Sequence, residues 1–197
     1  LRQRWGSQFD ANYKKLCAAV DAVTGQYMTY QGEWIDACYF ALSCGSTEAA
    51  AVVWGQEVPY LQPVASPGDR LSPDYETTVT LSAADVKAAL SRAFPDAIFG
   101  DAPEEWLQAP TLSAAGTVAS VTAGGQSVRG TAVRTALGLR SAAFTHLYND
   151  GGFQFTVHGY GHGVGMSQYG ADYLARQGYR YEEILRYYYT GVTLEKP

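Results

Sequence analysis

The stretch "HGYGHGVGMSQYGADYLARQG", His158–Gly178, sets two of the chain's three histidines in a run dense with glycine. Its character changes twice. Upstream, "AFTHLYNDGGFQFTVHGYG" alternates apolar and polar residues on either side of Asn149-Asp150-Gly151-Gly152, which predicts a β-hairpin. Downstream, Ser167 stands where a helix cap is expected, and "QYGADYLARQ" reads as a helix that Gly178 stops. Glycine at that density lowers stability through backbone entropy, so the segment between needs a tight backbone path or room for a ligand.

The same mixture of hairpins and helices runs outward from this stretch. "YEEILRYYYTG" predicts a last helix stopped by Gly191, on which Tyr187, Tyr188 and Tyr189 cannot share one face. "TVASVTAGGQSVRG" reads as a hairpin about Gly124-Gly125, followed by a short helix in "TAVRTALGLR" that Gly138 ends. In "LSAADVKAALSRAFP", Ser82 and Asp85 have capping spacing, Val86, Ala89, Leu90 and Ala93 form one stripe, and Pro95 closes the helix. Near the start, Ser7 and Asp10 have the same spacing ahead of an apolar face of Phe9, Tyr13, Leu16, Cys17 and Val20, ended by Thr24-Gly25. "QYMTYQGEWIDACYFALS" predicts a hairpin turning at Gln31-Gly32, with a second strand buried on both faces in mid-sheet. That strand delivers "CGSTEAA", after which four prolines mark a long irregular loop pinned by Trp54, Tyr60 and Leu61. Hairpins interleaved with helices, without a regular strand–helix repeat, predict an α+β fold: antiparallel sheet with several packed helices, one domain over residues 1–197 with room for two lobes.

Composition narrows the function. The 197 residues are 47% hydrophobic and 17% charged, which is globular rather than disordered. A net charge of −5 without any basic run excludes nucleic acid as the expected partner. Fifteen tyrosines and four tryptophans suit flat, amphipathic ligands such as sugars, although tyrosine also fills cores. Three cysteines are too few for a disulfide framework; Cys38 and Cys44 have spacing that permits a bridge, but buried free thiols are the expectation. No Cys-x-x-Cys pattern occurs, and the one His-x-x-x-His spacing, His158 to His162, falls in the glycine-dense run with no Cys, Asp or Glu beside it, so no metal site and no cofactor are expected. The first residues, Leu1-Arg2-Gln3-Arg4-Trp5, include no methionine and no signal-like run, so the chain reads as a fragment or processed product.

Five blocks carry a resemblance: "YFALSCGSTEAA", "VWGQEVPYLQPVASPGD", "VRGTAVRTALGLRS", "GYGHGVGMSQYGADYLARQGY" and "ILRYYYTGVTL". In this order they resemble the SpoIID/LytB family of bacterial cell-wall proteins, most specifically through Gly161–Ala171. For the intact protein the resemblance implies a peptidoglycan lytic transglycosylase, extracytoplasmic in the cell envelope, this chain supplying most of the substrate groove, with glycan strands, its own cleaved or missing N-terminal segment and other cell-wall remodelling proteins as partners. Such an enzyme cleaves the bond between N-acetylmuramic acid and N-acetylglucosamine with a single carboxylic acid and leaves a 1,6-anhydro end. The family's catalytic glutamate stands at the start of a Glu-Ala-Leu-Lys-Ala-Gln-Ala type helix, and no such segment occurs here. The domain is therefore expected to be truncated at its N-terminus, with that acid outside these residues. The His-Cys pair that some relatives use for zinc is missing too.

Candidate residues follow from the blocks and their chemistry. The resemblance places Tyr60 and Asp69 near the family's catalytic glutamate; Asp69 either orients a sugar hydroxyl, a water or a basic partner, or closes a Ser-Pro-Gly-Asp turn. Glu48 follows the predicted buried strand and is the stand-in general acid, or else an acid of a first helical turn with Thr47 as cap. Ser43, Ser46 and Thr47 share that strand exit as substrate-binding candidates. His162, Ser167 and Gln168 are expected to line the glycan groove, with His162 either functional or a buried hydrogen-bonding strut. His158 and His146 sit in alternating strands and read as structural. The rival readings are a non-catalytic peptidoglycan-binding module, favoured by the missing glutamate, and a metal-dependent hydrolase on His158 or His162, disfavoured because no further ligand type stands close to them in the sequence.

Overall fold

The computed structural model describes residues 1–196, and the fold is α+β. Helices α1 (Arg2–Trp5) and α2 (Phe9–Val23) lead into strands β1 (Tyr27–Tyr30), β2 (Glu33–Trp34) and β3 (Tyr39–Phe40). Helix α3 (Ala50–Trp54) and a 3₁₀ turn (Pro67–Leu71) precede β4 (Glu76–Ser82) and α4 (Ala83–Ala93). Then come β5 (Leu107–Leu112), β6 (Val118–Ala123), β7 (Gln126–Arg129) and α5 (Gly130–Leu137). The chain continues through β8 (Phe144–Asn149), β9 (Gly152–His158), β10 (Met166–Ser167), α6 (Gln168–Arg176), α7 (Tyr181–Tyr188) and β11 (Thr193–Glu195). These elements form two compact units, Leu1–Ile35 with the chain end from Val192, and Asp36–Gly191.

In the smaller unit β1 lies between β11 and β2, all antiparallel. Gln31 and Gly32 make the turn with φ of 52° and 84°, the left-handed pair that a two-residue hairpin needs. The helix start differs from the sequence reading. Ser7 lies in a 3₁₀ turn, Gly6–Gln8, and α2 begins at Phe9 with no side-chain cap. Its apolar stripe exists, yet Tyr13, Leu16 and Val20 are exposed and no residue of α2 is buried.

The larger unit holds the main core. Two antiparallel three-stranded sheets, ordered β4-β9-β8 and β5-β6-β7, pack with α4 and α5. Alternation along β9 turns Phe153, Phe155 and Val157 inward, and all three are fully buried beside Val86, Leu90 and Val133. Helix α4 starts where the capping pattern places it: Ser82 Oγ accepts a hydrogen bond from Asp85 N at 3.1 Å. The β8–β9 turn runs through Asp150 and Gly151, with φ of 46° and 79°.

One expected strand is not there. Only Glu33–Trp34 continues the first hairpin, and both residues are exposed. The apolar run beyond it enters the larger unit, where Tyr39–Phe40 pairs parallel with Met166–Ser167 in a two-stranded ladder. Past Ala41 the path is held by single bridges, Leu42 to Tyr160, Ser46 to Ala65 and Glu48 to Val164. The run is buried by packing of loop on loop, which leaves the same apolar signature as a mid-sheet strand. In the proline-rich loop Leu61 is buried as an anchor, whereas Trp54 is 46% exposed.

Candidate functional site

The glycine run lies directly on the segment from Cys38 to Glu48. Tyr160 N donates to Leu42 O at 2.7 Å, Met166 N to Cys38 O at 3.1 Å, and Glu48 N to Gly163 O at 2.7 Å. Gly165 has φ of +80°, and a Cβ built on it would stand 2.1 Å from Cys38 O. Gly161 has φ of +120°, with its Cβ position 2.8 Å from Phe40 Cβ. These glycines are therefore required by left-handed backbone and close approach, independently of any ligand.

Beneath this seam the Asp69 carboxylate is completely buried. Oδ2 accepts from Ser43 N and Oδ1 from Ser167 Oγ, both at 2.8 Å. Ser167 Oγ also accepts from Gly170 N at 3.1 Å, capping α6 as its position in the sequence suggests. Beside it Ser66 Oγ and Tyr188 OH pair at 2.8 Å, and burial pushes the Tyr188 phenol up to about 12. Asp69 thus joins the strand exit, the proline-rich loop and the head of α6. Ser43 is itself buried, and its Oγ accepts from Gly45 N at 3.0 Å.

Glu48 forms a second buried acidic centre, 1% exposed. Oε1 accepts from Ala49 N at 2.9 Å, while Oε2 accepts from Ser113 Oγ at 2.5 Å and Thr117 Oγ1 at 2.6 Å. The crevice beside it, bordered by Ser46, Val53, Thr131 and His162, holds about 20 Å³, space for about one water. Thr47 is fully buried, and its Oγ1 accepts from Val64 N at 2.9 Å, so it ties the loop rather than capping α3. Ser46 is half-buried, its Oγ 3.1 Å from the carbonyls of Thr47 and Val64.

His162 is half-buried between Trp54 and Phe40, with ring centres 5.5 and 5.6 Å away. Nδ1 accepts from Val164 N at 3.1 Å, which makes Nε2 the protonated nitrogen, and Nε2 donates to Tyr39 O at 3.1 Å. Burial lowers its pKa below 6.5, the Tyr39 carbonyl opposes that shift, and Arg134 adds to it. His146, which donates to Leu107 O, is lowered by burial as well. Both imidazoles take up a proton more readily in the unfolded chain, near pH 6.5, than in the fold. Their stabilisation is complete above pH 6.5 and is lost as the pH falls through the depressed folded values. Urea midpoints should accordingly drop between about pH 7 and about pH 5, and His162→Gln, which keeps a donor for Tyr39 O, should flatten that drop. An unchanged slope in the variant would deny the depressed pKa.

Tyr60 stands apart from these two centres: its OH accepts from Asp36 N at 3.0 Å and its carbonyl from Thr190 N at 3.1 Å. Gln168 is exposed at the first position of α6. His158 pairs with Glu76 at 3.0 Å. The three cysteines are free thiols, and burial, reinforced by the Asp36 carboxylate, pushes Cys38 up to about 11. Among the described residues no group of three or more His, Cys, Asp or Glu is placed to hold a metal ion. No helix among them is long and apolar enough to cross a membrane.

The structure also assembles a groove that sequence reading missed. Tyr160, Arg140, Asp74, Tyr169 and Ser72 line an open space of about 100 Å³ at the exit of β9. The available signal was Tyr160 itself, a large ring between glycines, whose partners come from three other segments.

No family model matches the chain. Stage II sporulation protein D of Bacillus amyloliquefaciens is 38% identical over 197 residues, covering 100% of this chain and 55% of that protein. The protein of the same name from Bacillus subtilis (strain 168) is 34% identical over 201 residues, again 100% of this chain and 55% of that protein. The amidase enhancer of Bacillus subtilis (strain 168) is 28% identical over 240 residues, 96% of this chain and 33% of that protein. The chain spans about half the length of the stage II sporulation proteins it matches. On identities of 34–38% across every one of its residues, the chain belongs to the family of stage II sporulation protein D.

Proposed function

We propose that this chain forms the substrate groove of a peptidoglycan lytic transglycosylase acting in sporulation, outside the cytoplasm. The likeness to stage II sporulation protein D across the whole chain carries the reading, and the state of the two buried carboxylates supports an acid from elsewhere. Asp69 and Glu48 each have both oxygens engaged by amide or hydroxyl donors of the fold itself. A general acid must instead meet the glycosidic oxygen. These carboxylates hold loops in place, and the acid stands outside these 197 residues, in the portion of the whole protein that the chain does not span. In the reaction that acid protonates the departing glycosidic oxygen. The resulting carboxylate takes the proton from the muramic acid C6 hydroxyl as its oxygen closes on the anomeric carbon, so no water is consumed. The chain's part is to orient the strand, with His162, Gln168 and Tyr160, which all retain surface, as the side chains to meet it.

Mass spectrometry of peptide-stripped glycan strands tests this with the chain and with the full-length protein. Anhydro ends from the full-length protein alone are the expected result. Anhydro ends from the chain by itself would overturn the placement of the acid and direct attention to Glu48 and Asp69. Glycan binding by both without cleavage by either would make the domain a binding module.

A further inference from the structure

Tyr160 is 48% exposed, yet its backbone is held on both sides, N to Leu42 O at 2.7 Å and O to Leu42 N at 3.0 Å. Gly161 N adds a bond to Arg140 O at 2.9 Å, which ties the loop after α5 to the ring's own segment. The result is a rigid aromatic surface open to solvent. The guanidinium of Arg140 lies 4.5 Å from the ring centre, and its nearest carboxylate, Asp74, is 3.9 Å away, beyond hydrogen-bond reach. Both polar groups therefore keep capacity for another partner: the guanidinium offers a fork of donors and the carboxylate offers acceptors.

We infer that this groove is a sugar-ring subsite that takes one neutral pyranose of a glycan, stacked on Tyr160 and held through its hydroxyls by Arg140 and Asp74. The inference rests on the function proposed above and adds the residues that grip the strand. A pyranose has an apolar C–H face and a rim of adjacent hydroxyls, each both donor and acceptor. The flat tyrosine ring suits that face, and a donor fork beside an acceptor suits that rim. The Asp74 carboxylate offsets the Arg140 guanidinium, which weakens the attraction of the groove for a phosphate or a free carboxylate. Its position fits a continuous strand site. Ser72, whose N donates to Asp69 O at 3.1 Å, lies at the groove, and so does Tyr169, whose N donates to Ala41 O at 3.1 Å. The larger pocket of about 200 Å³ beside α6 and α7 is also rich in tyrosine, but there Tyr187 OH donates to Ala65 O and Tyr188 OH pairs with Ser66. Those hydroxyls already have partners, which makes that pocket the natural control.

Calorimetric titration of the 197-residue chain with two probes tests the inference: a peptide-stripped tetrasaccharide of alternating N-acetylglucosamine and N-acetylmuramic acid, and the uncharged tetramer of N-acetylglucosamine. Tyr160→Ala and Arg140→Ala should each weaken binding of both probes by about tenfold. Tyr160→Phe, which keeps the ring, should bind like the parent, and so should Tyr179→Ala in the other pocket. Thermal melts matching the parent separate loss of binding from loss of fold. Tetrasaccharide binding that neither Tyr160→Ala nor Arg140→Ala weakens would overturn the subsite and leave the proposed function standing. Sensitivity of the muramic acid probe alone, together with loss of its binding in salt, would show a carboxylate site and overturn the neutral ring. Failure of the parent chain to bind either probe would overturn the subsite and the groove assigned to this chain together.

Discussion

Gly165→Ala is expected to destabilise the Asp36–Gly191 unit by about 4 kcal/mol or more. Two costs combine at this position. The backbone has φ of +80°, where a Cβ costs about 1–2 kcal/mol. The added carbon would also stand 2.1 Å from Cys38 O, a distance that non-bonded atoms do not tolerate. Relief would require Cys38 O to retreat, and that carbonyl accepts from Met166 N at 3.1 Å and from Tyr189 OH at 2.7 Å. Breaking buried hydrogen bonds adds about 1–3 kcal/mol for each group left unpaired. The total, about 4 kcal/mol or more, is a large part of the ~5–15 kcal/mol that typical domains possess. Far-ultraviolet circular dichroism and a urea titration read it directly. A cooperative transition within about 1 kcal/mol of the parent would mean that the glycine loop does not press on Cys38 as described.

Glu48→Ala should cost about 3–5 kcal/mol, because it removes a buried carboxylate that accepts from Ala49 N, Ser113 Oγ and Thr117 Oγ1 and leaves its volume unfilled. Glu48→Gln should cost less, since the amide oxygen can still accept and the two hydroxyls can rotate to meet an NH₂ group. Urea unfolding of the two variants gives the ordering. The same pair separates structure from chemistry in the full-length protein. If Glu48 only positions loops, Glu48→Gln should retain anhydro-end formation at temperatures where it remains folded. A variant that is folded and inactive would make Glu48 the acid and reverse the assignment above.

Where the chain's local pattern matched its environment, the fold was legible beforehand. The β8–β9 hairpin, the β6–β7 hairpin, α4 with its Ser82 cap, and α6 beginning after Ser167 all follow from period, turn residues and capping chemistry within a few positions. Reading failed where the partner lay far away. The apolar run through Tyr39 and Phe40 looks like a mid-sheet strand because apolar character reports burial and not what does the burying. Its cover is the glycine loop more than a hundred residues later, as Met166↔Tyr39 and Ser167↔Phe40 illustrate. The stripe on α2 failed the other way, since amphipathic spacing alone does not supply a surface to cover it.

The candidate site divides along the same line. Gln168, His162 and Tyr60 retain surface, while Ser43, Thr47, Glu48, Asp69 and Ser167 have their polar atoms turned into the fold. Residue type and motif named these positions, and they could not say which side of the wall each one faces. Asp69 and Ser167 are 98 residues apart in the chain, and Glu48 and Thr117 are 69 apart. The groove of Tyr160, Arg140 and Asp74 has no pattern in any one segment at all. By itself the sequence determined the family, the α+β class and the hairpins and helices whose signals are local, because turns, caps and side-chain periodicity act over a few residues. Tertiary structure alone decided which carboxylates are buried and satisfied and which polar groups stay open, because burial and hydrogen-bond partnership come from segments that only folding brings together.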